Sequence, residues 1–353
     1  MCVLLCLRYF ILISADVLNT GVWDVFEDDI NINSNKYLLG LVSSLKETVL
    51  SAKAPSTTDK YSGGWTRWKA FALQFGFQVF PVKHTDLALY IQHLSISSSS
   101  IAPIDCAIYS IRWVHNLAGI SSPTDNSFIK ASLDGFRRLL AKPKVPKEPV
   151  SSEILAQLVA DKGGSDASIL DIRLIFICLV SFAGLLRSNE ILSLRMRDIS
   201  FYHDHMAIKL PKRKNDQLRQ GHTVFIARTG NDTCPVSVTE RYIAMLGISN
   251  VPSHPLVCGF KRSKQSGLKP TDKAISYTTI RDLIKHGLSS YVSDPSAIGT
   301  HSLRSGGATE AASAKVNERC LTRQGGWKST SSKDMYVKDS LSNKLSVTRA
   351  MNL

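Results

Sequence analysis

The chain has 353 residues, and 43 Lys plus Arg against 29 Asp plus Glu give it a formal charge of +14. At roughly 150 residues per domain there is room for two cores that need no covalent staples. A 44% hydrophobic and 20% charged composition excludes a disordered tail or a fibrous repeat, and the basic balance points to a polyanionic partner while saying nothing of the fold.

Residues 1–35 begin with an apolar run, Cys2 to Ala15, which has no basic start, is interrupted by Arg8 and is followed by no small-residue cleavage site. Export or anchoring is therefore not expected, and the run is too short to span a bilayer. It reads as a poorly ordered extension, or as an upstream start wrongly included. Residues 36–142 read as a helical domain. Tyr61, Trp65, Trp68, Ala72 and Phe75 fall on one stripe at spacings of 4, 3, 4 and 3. Thr85 is placed to cap a helix carrying Leu87, Tyr90, Ile91 and Leu94. Ile104, Ile108, Ile111, His115 and Ala118 keep the period from Pro103 to Gly119, and Ile129, Leu133, Phe136 and Leu140 form another inner face. The aromatic stripes are core; the basic residues Lys130, Arg137, Arg138 and Lys142 are the candidate contacts to a polyanion.

A linker, residues 143–150, follows. In Lys142-Pro-Lys-Val-Pro-Lys-Glu-Pro149 three prolines prevent a helix, and Lys144 and Lys147 are placed to lie along a phosphate backbone. Residues 151–353 form a mixed second domain with a C-terminal tail. Ile169 to Leu186 is an apolar helix; Asp171 and Arg173 within it favour a core helix over a membrane span. His205 to Leu210 and His222 to Ile226 make a β-hairpin around a basic tip, with helices expected at Pro235–Leu246, Tyr277–Tyr291, His301–Ala314, Asn317–Gln324 and near Tyr336. The fold class is mainly α with a small β-hairpin or sheet. The seven scattered cysteines form no CxxC pair, so no zinc site, metal site or disulfide framework is expected and a reducing interior is. His203 and His205 read as exposed hairpin residues.

The chemistry gathers late in the chain. Arg187-Ser-Asn-Glu190, His301-Ser-Leu-Arg304, Gly325-Gly-Trp327 and Lys333-Asp-Met-Tyr336 follow in order, and a spacing of three sets Arg187 beside Glu190 and His301 beside Arg304 on helices. Two arginines, a histidine and a tyrosine suit transesterification of a phosphodiester. The guanidiniums hold non-bridging oxygens and offset transition-state charge, the tyrosine attacks phosphorus, and a hairpin lysine protonates the leaving oxygen. No metal or cofactor is required. Each motif alone arises by chance; their order and spacing together are informative.

That order, with 23 residues from Arg304 to Trp327 and nine from Trp327 to Tyr336, resembles the tyrosine recombinase (phage integrase) family, and Cre-type members in particular. Leu185-Leu-Arg-Ser-Asn-Glu-Ile-Leu192, Lys214-Asn-Asp-Gln217 and His301-Ser-Leu-Arg-Ser-Gly-Gly307 also look like recombinases of eukaryotic mobile elements of the Crypton and DIRS groups. The resemblance covers roughly residues 36–345 and implies a helical, SAM-like core-binding domain followed by the catalytic domain of a site-specific DNA recombinase. It implies that Arg187 and Arg304 clamp the scissile phosphate, His301 bonds a phosphate oxygen, Trp327 stands where many relatives have a second histidine, and Tyr336 is the nucleophile. Glu190 orients an arginine and is the more replaceable. Lys214 before Asn215-Asp216 fits the general acid, with Lys212 in reserve and Arg213 as a further contact to DNA. The family often has glycine two residues before its first arginine; here Gly184 lies three before. The implied partner is double-stranded DNA, bound as a dimer to tetramer that exchanges the tail from Ser340, with no membrane role and no cofactor. The expected location is intracellular, the nucleus in a eukaryote. The competing readings are a non-cutting DNA-binding descendant and a type IB topoisomerase.

Overall fold

The computed structural model describes residues 34–143, 147–211, 213, 221–263 and 267–351, together with Ile32. Lys144, Lys212, Lys214 and almost all of the 1–35 extension therefore lie outside the described residues. The chain divides into two compact units, the first ending at Lys144 and the second starting at Val145.

The first unit is helical: α1 (Lys36–Leu50), α2 (Pro55–Gln74), α3 (His84–Ser97), α4 (Ala102–Leu117) and α5 (Ser127–Leu139). Trp65, Trp68 and Ala72 of the α2 stripe are buried with Leu87, Ile91, Ile104, Ile111, Ile129 and Leu133. Phe75, at the C-cap of α2, is instead 53% exposed. Thr85 does not cap α3. The helix starts at His84 with Lys83 in the cap position, and the Thr85 hydroxyl donates to Asp86 Oδ1 at 3.0 Å. The entry to α3 is set by α4, because the Val82 N–H donates to His115 Nε2 at 3.2 Å.

That bond makes His115 a buried, neutral histidine. Its other ring nitrogen lies 2.8 Å from Ile111 O, and burial pushes its pKa below the ordinary 6.5. The unfolded chain therefore takes up this proton more readily than the folded one, and stability is lost as pH falls below about 6.5. Thermal melts between pH 7.5 and 5 are expected to show a decline of at most about 1.4 kcal/mol per pH unit in the parent that is missing in His115→Gln. Equal slopes in the two proteins would remove His115 as the cause.

The second unit is built around α7 (Ile169–Ala183), in which Ile172 to Ser181 are all buried. The polar residues expected within it are accommodated in two ways. Asp171 lies in the first turn, its N–H on the Ser168 cap at 3.2 Å. Arg173 donates to Cys258 O at 2.9 Å and lies 5.1 Å from the Phe260 ring centroid. Around α7 pack α6 (Ser152–Lys162), α9 (Pro235–Leu246) and α10 (Tyr277–Leu288), with the Phe176 and Tyr242 rings stacked at 4.9 Å. An antiparallel sheet joins β1 (Ile199–Phe201), β2 (His205–Leu210) and β3 (His222–Ala227), with His205 opposite Ala227 and Leu210 opposite His222. A second hairpin, β4 (Cys258–Ser263) with β5 (Gly267–Ala274), is one the sequence reading did not anticipate.

Four short helices complete the unit: α8 (Ser188–Ser193), α11 (Ser302–Ser313), α12 (Glu318–Gly325) and α13 (Thr330–Asp334). A last helix, α14 (Leu341–Arg349), has no buried residue. The end of the expected linker belongs to this unit: Glu148 N donates to Ala297 O and Val150 N to Ser302 O, at 2.9 and 3.0 Å. The glycine pair in α11 is needed for that fit. A Cβ on Gly306 would fall 1.8 Å from Val150 O, and one on Gly307 2.2 Å from Phe182 O, so only glycines let α11 press against both backbones. The described cysteines are unpaired, with Cys106, Cys178, Cys234 and Cys258 buried and Cys320 exposed. His205 is bonded to Asp204 and stacked on Tyr202, with ring centroids 4.5 Å apart. Among the described residues no helix is long and apolar enough to cross a membrane.

Candidate active site

The site starts where α7 ends. After Gly184 the chain turns through Leu185 at φ 50°, a left-handed conformation that costs a non-glycine residue about 1–2 kcal/mol. Leu185 is also the position two before Arg187 at which the family often has glycine. Here a leucine is retained because its side chain packs with Ala308, Leu321 and Trp327, and its carbonyl accepts from Arg304 Nη1. The turn delivers Arg187 to the N-cap of α8. Glu190 reaches back to Arg187 N at 2.9 Å and to Arg187 Nη1 at 2.8 Å. The same carboxylate accepts Arg213 Nε at 3.1 Å.

Glu190 thus bonds two arginines, where its spacing had pointed to Arg187 alone. It is 4% exposed, and its loss leaves two arginines without their carboxylate. Glu190→Ala is expected to cost about 3–5 kcal/mol of folding free energy, read as a large drop in denaturation midpoint, whereas Glu190→Gln keeps an acceptor and loses less. A Glu190→Ala melt within a degree of the parent would contradict this.

α11 supplies the next groups. His301 stands at its N-terminal edge and Arg304 one turn further in. The Arg304 side chain is fully buried: besides Leu185 O it donates to Gly325 O at 2.7 Å. Its guanidinium carbon lies 4.3 Å from the Trp327 ring centroid and 4.8 Å from that of Tyr336. Burial, and after it the charge of Arg187, depress the Arg304 pKa, while Glu190 and Tyr336 act the other way; the group remains a cation at any working pH. Tyr336 follows α13, with its hydroxyl 3.4 Å from His301 Nδ1 and its ring centroid 5.6 Å from that of Trp327. Arg187, Glu190, His301, Arg304, Trp327 and Tyr336 are therefore brought together. Three buried donors here, Arg304 Nε, Arg213 Nη1 and Trp327 Nε1, have no acceptor among the described residues.

Several positioning groups were missed in the sequence. The Tyr336 carbonyl accepts Ser305 Oγ at 2.5 Å and Thr309 Oγ1 at 3.4 Å, and Lys338 N donates to Thr309 Oγ1 at 3.0 Å. Ser305 and Thr309 lie four and eight residues after His301, a helical spacing that was available as a signal. Lys333 is buried and ion-paired with Glu318 and Asp334, tying α13 to α12. Lys147 lines a hollow of about 230 Å³ with His301, Ser305, Tyr336 and Lys338.

The other candidate DNA contacts fall differently. Lys130, Arg138 and Lys142 are exposed on the first unit, and Arg137 there is engaged by Asp105 and Asp134 at 3.5 and 3.3 Å. Arg213, expected on a solvated tip, is instead 5% exposed: the Glu190 carboxylate draws it inward.

Residues 156–342 match the phage integrase family. The chain belongs to that family, the tyrosine recombinases. It is 23% identical over 298 residues, 83% of this chain and 84% of the other, to an integrase/recombinase XerD homologue of Selenomonas ruminantium. The recombinase fold is also that of a lambda integrase tetramer solved on a Holliday junction, with TM-score 0.52, 12% identity and coverage of 81% of this chain and 73% of that one. A XerH recombinase solved in a post-cleavage complex with its difH substrate gives TM-score 0.50, 13% identity and coverage of 84% and 77%. The mainly helical architecture with a small antiparallel sheet is the one expected from the sequence.

Proposed function

We propose that this recombinase cuts and rejoins DNA at a specific sequence through a 3′-phosphotyrosine on Tyr336. The observation that carries the reading is the Tyr336 hydroxyl 3.4 Å from His301 Nδ1 on a ring lying against the Arg304 guanidinium. His301 and Arg304 stand one turn apart on α11, and Tyr336, which follows α13, packs against both. Arg304 Nε and Trp327 Nε1 have no acceptor among the described residues, and Arg187 and Arg213 share the Glu190 carboxylate beside the third guanidinium, that of Arg304; this supports a site short of negative charge, which a phosphodiester supplies.

In this reading the Tyr336 oxygen attacks phosphorus as His301 takes its proton, while Arg187 and Arg304 hold the non-bridging oxygens. The bond to the 5′ oxygen breaks, and Lys214 gives that oxygen its proton. The free 5′ hydroxyl of another strand then attacks the phosphotyrosine and gives its proton to Lys214, the bond to Tyr336 breaks, and His301 returns its proton to the tyrosine oxygen. The charge work is done by guanidiniums, so the chemistry requires no metal.

The test uses a duplex nicked close to the cut site, from which the short 5′ fragment diffuses away and traps the intermediate. A protease-sensitive adduct whose DNA maps to one sequence supports the reading. Tight binding without an adduct favours a non-cutting descendant, and relaxation of any plasmid by a monomer favours a topoisomerase. The exposed Leu341, Leu345 and Val347 of α14 suit a helix passed to a neighbouring copy, in a dimer or tetramer on DNA. Truncation after Asp339 is then expected to reduce the mass of the DNA complex.

A further inference from the structure

Arg213 lies three residues beyond Leu210, the last residue of β2, yet it points away from solvent. Its Nε donates to Glu190 Oε1 at 3.1 Å, and its Nη2 makes a longer contact to Gln324 O at 3.4 Å. Its Nη1 has no acceptor among the described residues and lies against Gly326, where a Cβ would fall 1.9 Å away. Gly326, at φ 62°, is the C-cap of α12 and immediately precedes Trp327. One planar group therefore touches α8, which carries Arg187 and Glu190, and the turn that carries Trp327. The charge balance follows the same lines: a single carboxylate is shared between Arg187 and Arg213. Without Arg213, Glu190 would turn wholly to Arg187 and compete with any anion for its donors.

We propose that Arg213 is a positioning residue for strand cleavage, holding Glu190 and the turn before Trp327 in one fork so that Arg187 and Trp327 stand in register around the reacting phosphate. This rests on the recombinase chemistry proposed above. It differs from the role expected of a basic hairpin tip, in which Arg213 grips the DNA backbone directly.

Arg213→Lys and Arg213→Ala separate the two roles. Lysine keeps the charge and most of the stem but offers one nitrogen for two acceptors on different elements. Single-turnover adduct formation on the nicked duplex is expected to slow on the order of 10²-fold in both variants. DNA affinity, and its slope against the logarithm of salt concentration, should stay at parental values. Because the effect passes through Glu190, the Arg213→Lys/Glu190→Gln double variant should be no slower than the slower single one.

The proposal is overturned if affinity drops and the salt slope falls by about one, the mark of a lost phosphate contact. It is equally overturned if the two rate defects multiply, or if Arg213→Lys cleaves at the parental rate. Should thermal melts show that both variants lose the fold, the residue is structural and the proposal fails. Absence of an adduct with the parent protein would instead sink the underlying chemistry, which keeps the two failures apart.

Discussion

Tyr336→Phe is expected to abolish the covalent protein–DNA adduct and leave both folding and DNA affinity intact. The substitution removes one oxygen and its contact to His301. The ring still packs on Arg304 and Trp327, and the backbone carbonyl is still held by Ser305, so the residue keeps its place without the hydroxyl proposed as the nucleophile. Loss of a nucleophile removes the whole covalent route, and rates are expected to drop by about 10⁴-fold or more. The measurement is the protease-sensitive adduct on a nicked duplex, alongside a binding isotherm at the same salt. An undiminished adduct in Tyr336→Phe would place the nucleophile on another residue and overturn the proposed site.

Arg304→Lys is the second large effect. Arginine at this position donates to carbonyls on two different elements, Leu185 O and Gly325 O, while its flat face supports two aromatic rings. A lysine brings the same charge on one nitrogen and cannot do all of this at once. Loss of one preorganised donor to developing negative charge costs on the order of 10²–10³ in rate, and a stranded buried carbonyl costs about 1–3 kcal/mol of stability. Arg304→Lys is therefore expected to cleave at least on the order of 10²-fold more slowly and to melt lower. Arg304→Ala adds a cavity under Trp327 and is the poorer probe of chemistry. If Glu190→Gln, with its fold intact, slowed cleavage more than Arg304→Lys, the division of labour between clamp and support would be reversed.

The pattern of the site was legible because its groups are polar residues at helical spacings inside apolar surroundings. Arg187 with Glu190, and His301 with Arg304, each occupy one turn, and such pairs stand out in sequence. The hairpin of β2 and β3 was legible for a similar reason: its strands alternate between buried and exposed residues.

Where the reading failed, tertiary contact overrode local character. Arg213 sits in Pro211-Lys-Arg-Lys214, a run that looks solvated along its whole length. Only the distant Glu190 and Gln324 reveal that one of these cations turns inward. The second arginine on the Glu190 carboxylate likewise cannot be seen from a motif of four residues. The strands β4 and β5 are rich in lysine and mostly exposed, with Pro270 opposite Phe260, so they carry no apolar alternation to detect. Leu185 takes a backbone conformation associated with glycine because its side chain and carbonyl are both held by later parts of the chain.

The burial of Arg304 has a consequence for how the resting protein meets its ionic surroundings. This guanidinium lies roofed by the Trp327 indole and the Tyr336 phenol, with no surface open to water. Chloride, sulfate or free orthophosphate has no direct route to it, and none offers the groove-filling contacts of a duplex that would make uncovering it worthwhile. Millimolar inorganic phosphate should accordingly be a poor competitor of the chemical step, and added salt should act by loosening the hold on DNA rather than by poisoning the centre.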